Sequence, residues 1–195
     1  DGETGCIPRT FTQEAGSDTA WRGDPRADNF GIASYARQLS ATRVDDGTIG
    51  LASVNTTASG ASVTFGPTPT GSYAVTLTVT DRDGNTNTTE ATLTVVDETA
   101  PVVRIDTDAT DTDSGYSQPQ RTTSAWSAAN STDVNAITNV SWELRAAALD
   151  NATIRVPTVT ATGTTATLTP PEPGTYILTV AVTDAYGNTN TTTRT

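Results

Sequence analysis

The chain of 195 residues reads as an all-β protein made of two antiparallel β-sandwiches in tandem, and three features say so. "GSYAVTLTVTDRDGNTNTT", residues 71–89, returns as "GTYILTVAVTDAYGNTNTT", residues 174–192, at an offset of 103, which marks one structural unit used twice. Within each copy apolar residues recur at every second position, the period of a half-buried strand. Gly, Pro and Asn fall between short apolar segments, and Thr makes up about a fifth of the chain, a composition that suits pleated surfaces joined by turns.

The repeat extends upstream. "TAW" ending at Trp21 matches "SAW" ending at Trp126 at an offset of 105, and "ASYARQL", 33–39, resembles "VSWELRA", 140–146, at an offset of 107. These offsets place the boundary near Asp97, so the units are 1–97 and 98–195. The stretches 33–41 and 142–151 have helical propensity, but their place in the repeat assigns them to strands. "YAVTLTVT", 73–80, puts Tyr73, Val75, Leu77 and Val79 on one face and Ala74, Thr76, Thr78 and Thr80 on the other. "EATLTVV", 90–96, follows the same alternation. In the second unit "APVVRID", 100–106, is expected as the first strand, followed by "TATLTP", 165–170, and "YILTVAVT", 176–183. Between the last two strands of the first unit, Asp81 ends one strand, Gly84-Asn85 turns the chain and Thr86 begins the next, a hairpin signature. The second copy keeps Asp184, Gly187 and Asn188 but has Tyr186 where the first has Asp83. By the 103 offset Thr195 corresponds to Thr92, so Leu93 and Val95 have no counterpart in the second unit. Either a longer chain or a neighbouring subunit is expected to complete that sheet edge.

The run "PEPGTYILTVAVTDAYGNTNTT", and nearly as well "PTGSYAVTLTVTDRDGNTNTT", resembles the C-terminal half of a PKD (polycystic kidney disease type) domain, an immunoglobulin-like sandwich. Trp142 in "VSWEL" resembles the family's strand Trp. Where the family continues into Asp-Phe-Gly-Asp-Gly, this chain has Glu143, Leu144 and Arg145, and the first unit has Tyr35, Ala36 and Arg37. The resemblance implies two immunoglobulin-like, PKD-type sandwiches of an extracellular protein. The leading Tyr of each strand is expected to bury its ring while its hydroxyl bonds nearby backbone, as in a tyrosine corner.

The net charge is −11, with 22 acidic residues against 11 cations that are all Arg. Such a field disfavours nucleic acid and anionic bilayers as partners. Lys depletion with Asp excess resembles the proteins of haloarchaea, which work where a Debye length of about 3 Å at 1 M salt screens self-repulsion. No apolar run approaches the roughly 18 residues that suggest a spanning helix. Cys6 is the single cysteine, which leaves no intramolecular disulfide; it reads as an idle or buried thiol in preference to a lipidation site.

For chemistry the residues point away from catalysis. There is no His, Cys6 has no basic partner, and the carboxylates lie in turns and linkers. "WRGDP", 21–25, reads as a turn. Asn55, Asn87, Asn130, Asn139, Asn151 and Asn190 each open an N-x-S/T sequon, so covalent N-glycans are expected. Calcium is the one candidate cofactor, with oxygens from Asp106, Asp108, Asp111 and Asp113, from Asp81, Asp83 and Asn85, or from Asp97 and Glu98 at the junction. "DRDGN" has only the opening spacing of an EF-hand loop, since its twelfth position is Thr92. The function expected is a structural or adhesive module of a halophilic cell-surface protein, including a filament or lattice subunit, whose partners are other copies or other surface proteins. The alternative is an accessory carbohydrate- or protein-binding module of a secreted hydrolase.

Overall fold

The computed structural model describes residues 9–22, 31–46, 49–67, 69–112 and 115–195; Cys6, Asp113 and residues 23–25 of the Arg-Gly-Asp stretch lie outside them. The chain divides into two compact units, Asp1–Asp97 and Glu98–Thr195. The first carries β1 (Arg9–Glu14), β2 (Thr19–Arg22), β3 (Ile32–Val44), a 3₁₀ turn (Leu51–Val54), β4 (Thr56–Ser59), β5 (Ser62–Phe65), β6 (Gly71–Asp81) and β7 (Thr86–Val96). One sheet runs β1-β7-β6-β3-β4 and packs against the pair β2-β5. Every pairing is antiparallel except β1 with β7, which is parallel from Arg9↔Ala91 to Glu14↔Val96. No helix among the described residues is long and apolar enough to cross a membrane.

The second unit repeats this plan with β8 (Asp106–Thr107), β9 (Thr110–Thr112), β10 (Gly115–Ser117), β11 (Ser124–Ser127), β12 (Ile137–Leu149), β13 (Val159–Thr162), β14 (Thr165–Leu168), β15 (Gly174–Asp184) and β16 (Thr189–Arg194). Its sheets are β13-β12-β15-β16 and β14-β11-β8, with β9 and β10 as a separate hairpin. Two-layer packing of mostly antiparallel sheets around one core per unit makes each an immunoglobulin-like sandwich. The first strand expected at 100–106 does not form. Val102 makes an isolated bridge to Thr132, and the ladder proper covers only Asp106–Thr107. Pro101 has no N–H to give, and the Arg104 N–H donates to Ser131 Oγ at 3.0 Å instead of to a strand.

Strand starts are set by glycine. Gly71 and Gly174 both have φ +151°, and a Cβ on either would overlap the carbonyl oxygen of Arg43 or Ala148 on the adjoining strand. Both neighbours carry a bulge at the equivalent place, between Ala41 and Arg43 and between Ala146 and Ala148. Two residues later the tyrosine corners form: Tyr73 Oη donates to Pro69 O at 2.7 Å and Tyr176 Oη to Glu172 O at 2.8 Å.

Register corrects the alignment of β3 with β12. Leu39 faces Val75, and Leu144 faces Leu178; since Val75 and Leu178 are repeat equivalents, the offset here is 105, not 107. Trp142 therefore corresponds to Arg37, not to Tyr35. Both are buried, at 1% and 3% exposure, and both do the same job. Trp142 Nε1 donates to Gly163 O at 2.8 Å, while the Arg37 guanidinium donates to Gly60 O and, at 2.9 Å, to Ala61 O. Burial pulls the Arg37 pKa down, partly offset by Tyr35, whose ring centroid lies 5.8 Å from the guanidinium carbon. A polar residue at this core position explains why Leu77 and Val79, which face Arg37 and Tyr35, are only half-buried, whereas Val180 and Val182 are fully buried. Arg37→Trp, which transfers the second unit's solution to the first, is expected to keep the first sandwich folded with its melting temperature little changed. Arg37→Ala, which removes the donors and leaves a void, is expected to cost about 3 kcal/mol; urea denaturation followed by circular dichroism measures both.

Candidate functional site

The hairpin at 81–86 is held by a carboxylate. Asp81 Oδ1 accepts the N–H groups of Asp83 (2.9 Å) and Asn85 (2.8 Å), and Oδ2 accepts Asn85 Nδ2 (2.8 Å). Asp184 does the same for Tyr186 N (2.7 Å), Asn188 N (2.9 Å) and Asn188 Nδ2 (2.8 Å). Position 83 or 186 meets this carboxylate through its backbone N–H, a group that Asp83 and Tyr186 supply alike. At Asp81 the Asn85 side chain, with the N–H groups of Asn85, Asp83 and Gly84, outweighs desolvation and holds the pKa below the usual carboxylate value. Burial of Asp184 pushes its pKa up, but the Asn188 side chain and the N–H groups of Tyr186, Asn188 and Gly187 together more than reverse this.

The acidic stretch 106–113 is put to separate uses. Asp106 Oδ2 accepts Asn130 Nδ2 at 2.8 Å, Asp108 Oδ1 accepts Ala125 N at 2.8 Å, and Asp111 lies in β9 opposite Tyr116. Among the described residues these three do not gather into one carboxylate group. Asp133 and Asp184 instead bring carboxylate oxygens within 4.8 Å of each other.

All six sequon asparagines are exposed, but their side chains are engaged differently. Asn55 Oδ1 accepts Ala41 N (2.8 Å), Asn130 Nδ2 is given to Asp106, and Asn190 Nδ2 donates to Pro101 O (2.8 Å). Asn87 stands on the half of β7 that pairs only with β6, opposite Val79, and Asn139 stands on β12 opposite Thr183. Asn151 occupies a loop in which its Oδ1 accepts both Thr153 N (3.0 Å) and Thr153 Oγ1 (2.7 Å). The repeat equivalents Asn87 and Asn190 thus differ in surroundings.

A feature that no motif announced is a cleft of about 480 Å³ in the second sandwich, lined by Tyr116, Trp126, Leu144, Leu168, Tyr176 and Leu178 among others. Tyr116 packs edge-on to Trp126 with centroids 5.2 Å apart, as Phe11 packs on Trp21 at 4.9 Å. In the first sandwich the corresponding space is filled by Leu93 and Val95 of β7, exposed 0% and 1%, and Tyr73 opposite Leu93 is wholly buried. Tyr176 is only half-buried. Which side chains line the cleft depends on the packing of β10, β11, β14 and β15, and no local motif states it.

No family model matches the chain, and no curated protein does. Among solved structures it is similar to the fibronectin(III)-like modules of Clostridium thermocellum CbhA, at 12% identity over 98% of this chain and 89% of that one, with a TM-score of 0.35. It is also similar to the FN1-FN3 domains of chicken CNTN1, at 11% identity over 95% of this chain and 62% of that one, with a TM-score of 0.29. At these scores the likeness carries no argument, and the immunoglobulin-like architecture rests on strand order and packing.

Because the folded pKa values of Asp81 and Asp184 lie below the unfolded value of about 3.9, the stability they supply is present above that pH and is lost as pH falls through the folded values. Circular dichroism from pH 7 down to pH 2 is expected to show an acid unfolding limb that Asp81→Asn and Asp184→Asn each flatten. Asp184→Ala, which strands three N–H donors, is expected to lower the melting temperature of the second sandwich by about 5–10 °C.

Proposed function

We propose that this chain is a non-enzymatic structural or adhesive module of an extracellular cell-surface protein, working in concentrated salt as a spacer within a surface protein, lattice or filament. The observation that carries the reading is that both units spend their patterned polar residues on their own main chain. Asp81 and Asp184 close hairpins, Tyr73 and Tyr176 pin strand starts, and Arg37 and Trp142 tie down the turn at Gly60 or Gly163. Repetition of a rigid unit suits a molecule whose job is reach and resistance to deformation. The acidic, Lys-free surface and the Thr-rich exposed faces of β4, β7 and β16 favour a hydrated brine environment and association with other copies or other surface proteins. Asn87, Asn139 and Asn151 are the sequons whose settings best suit covalent glycans.

A second reading, an accessory carbohydrate- or protein-binding module, draws on the aromatic cleft of the second sandwich. Glycan-array binding by the intact chain that Tyr176→Ala abolishes would favour it over the structural reading.

Immunogold labelling of intact source cells with antibody to this chain is expected to decorate the surface; label confined to the cell interior would overturn the proposal. Thermal unfolding followed from 0.1 M to 3 M NaCl is expected to shift upward with salt, because the Debye length shrinks from about 10 Å to below 3 Å and relieves the repulsion among acidic groups. Glycopeptide mass spectrometry of the native protein is expected to find sugar at Asn151 and Asn87 before Asn190, whose amide is already spent on Pro101.

A further inference from the structure

We propose that Asp83 is a site of spontaneous backbone modification: with Gly84 it closes to a succinimide that reopens chiefly as isoaspartate, so the first hairpin carries an ageing site that the second lacks. The chemistry needs a carboxyl one methylene from the main chain and a following residue with no side chain crowding its nitrogen. Gly84 N attacks Asp83 Cγ, one carboxyl oxygen leaves as water with the amide proton, and a five-membered imide forms. Water then adds at an imide carbonyl. Addition at the former main-chain carbonyl breaks its bond to nitrogen, so the chain now runs through Cγ, one methylene longer, with the α-carboxylate as the side group. The water lost in the first step is regained in the second, and no oxidant or cofactor takes part.

Asp83-Gly84 is the Asp-Gly pair that lies wholly within the described residues, and the reacting atoms are lightly held there. Residues 82–85 are all exposed. Asp83 uses its N–H, given to Asp81 Oδ1 at 2.9 Å, while its carboxylate makes no hydrogen bond or ion pair among the described residues. A Cβ on Gly84 would meet nothing within 4 Å, so a ring has room to form. The nucleophile is the most loosely tied nitrogen of the turn: Gly84 N–H donates to Asp81 O at 3.3 Å, against 2.9 Å and 2.8 Å for the N–H groups of Asp83 and Asn85 on the Asp81 carboxylate.

The bond from Gly84 N–H to Asp81 O makes Asp83 the third residue of a β-turn, and its φ is negative. In a type I turn that residue has ψ of about 0°, which turns Cβ away from the next nitrogen. Ring closure therefore follows a local opening of the tip, against the bonds that Asn85 makes to Asp81, and does not wait for the sandwich to unfold. The product undoes the clamp. An extra methylene at position 83 displaces Gly84 and Asn85 from Asp81, and the 2.8 Å bonds from Asn85 N and Asn85 Nδ2 are lost. The second hairpin has the same clamp on Asp184 and the same left-handed glycine, Gly187 at φ +92°, but Tyr186 has no carboxyl to close.

The test incubates the full chain at pH 7 and 37 °C beside a free peptide of residues 79–89, and locates isoaspartate by peptide mapping with electron-transfer fragmentation. Conversion at Asp83 is expected about tenfold more slowly in the chain than in the peptide, the ratio set by tip opening, so that about half the chain is converted after about ten half-lives of the peptide. In the converted protein, amide exchange at Asn85 is expected to speed up while that at Asn188 stays the same, and the melting temperature of the first sandwich is expected to fall by about 5 °C. Asp83→Tyr, which copies the second hairpin, is expected to leave the fresh protein's melting temperature unchanged and to abolish its fall on incubation. Asp83→Glu, whose imide would need a six-membered ring, is expected to slow conversion at least as far as the detection limit while keeping the acidic side chain. Isoaspartate undetectable at 83 after those ten peptide half-lives overturns the proposal, as does a converted protein whose Asn85 exchange is unchanged, or an equal fall in melting temperature in Asp83→Tyr.

Discussion

The pairing of β6 with β3, and of β15 with β12, is the constraint on which both sandwiches rest, because one residue of slip would send every core side chain to solvent. The register is held at both ends. At one end Gly71 or Gly174 admits a neighbouring carbonyl where no side chain fits, and the tyrosine hydroxyl ties the strand to the turn before it. At the other end Asp81 or Asp184 terminates the strand and holds the hairpin that launches the next one. Without a disulfide available to Cys6, these local fastenings carry the specification that covalent staples supply in other small domains.

From one plan the two units reach different cores. The first is tightest around Tyr73, Val75, Leu93 and Val95 and loosens toward Leu77 and Val79, where Arg37 takes the central place. The second is tightest around Trp142, Val180 and Val182 and opens at Tyr176. The difference at the central position traces to a single substitution, Arg37 against Trp142. A guanidinium needs acceptors and brings in the carbonyls of Gly60 and Ala61; an indole needs one acceptor and buries more apolar surface. In the first unit Leu93 and Val95 of β7 close the opposite end.

Most of the architecture was legible in the residues: the repeat, the alternating strands, the Asp-Gly-Asn hairpins and the Gly-x-Tyr strand starts all have local causes. What was not legible depended on distant partners. The 105 offset between β3 and β12 follows from which residue faces Val75 or Leu178, and no local motif states it. The parallel pairing of β1 with β7 joins segments some 80 residues apart, and nothing in "RTFTQE" specifies direction. "APVVRID" has strand composition, yet Ser131 and Thr132 satisfy its backbone outside a ladder. Among the described residues of "DTDATDTD", proximity along the chain did not gather Asp106, Asp108 and Asp111 into one group, because Asp106 and Asp108 turn to Asn130 and Ala125.

The sequence by itself determined that the protein is all-β, built twice, acidic and fastened by turns, because period, repeat and turn chemistry are properties of neighbouring residues. The tertiary structure alone decided that the side chains of Asn55, Asn130 and Asn190 are engaged, that Trp142 and Arg37 take equivalent places, and which side chains line the cleft of the second sandwich. Those properties belong to pairs of residues far apart in the chain, and they come into being only when the sheets close around a core.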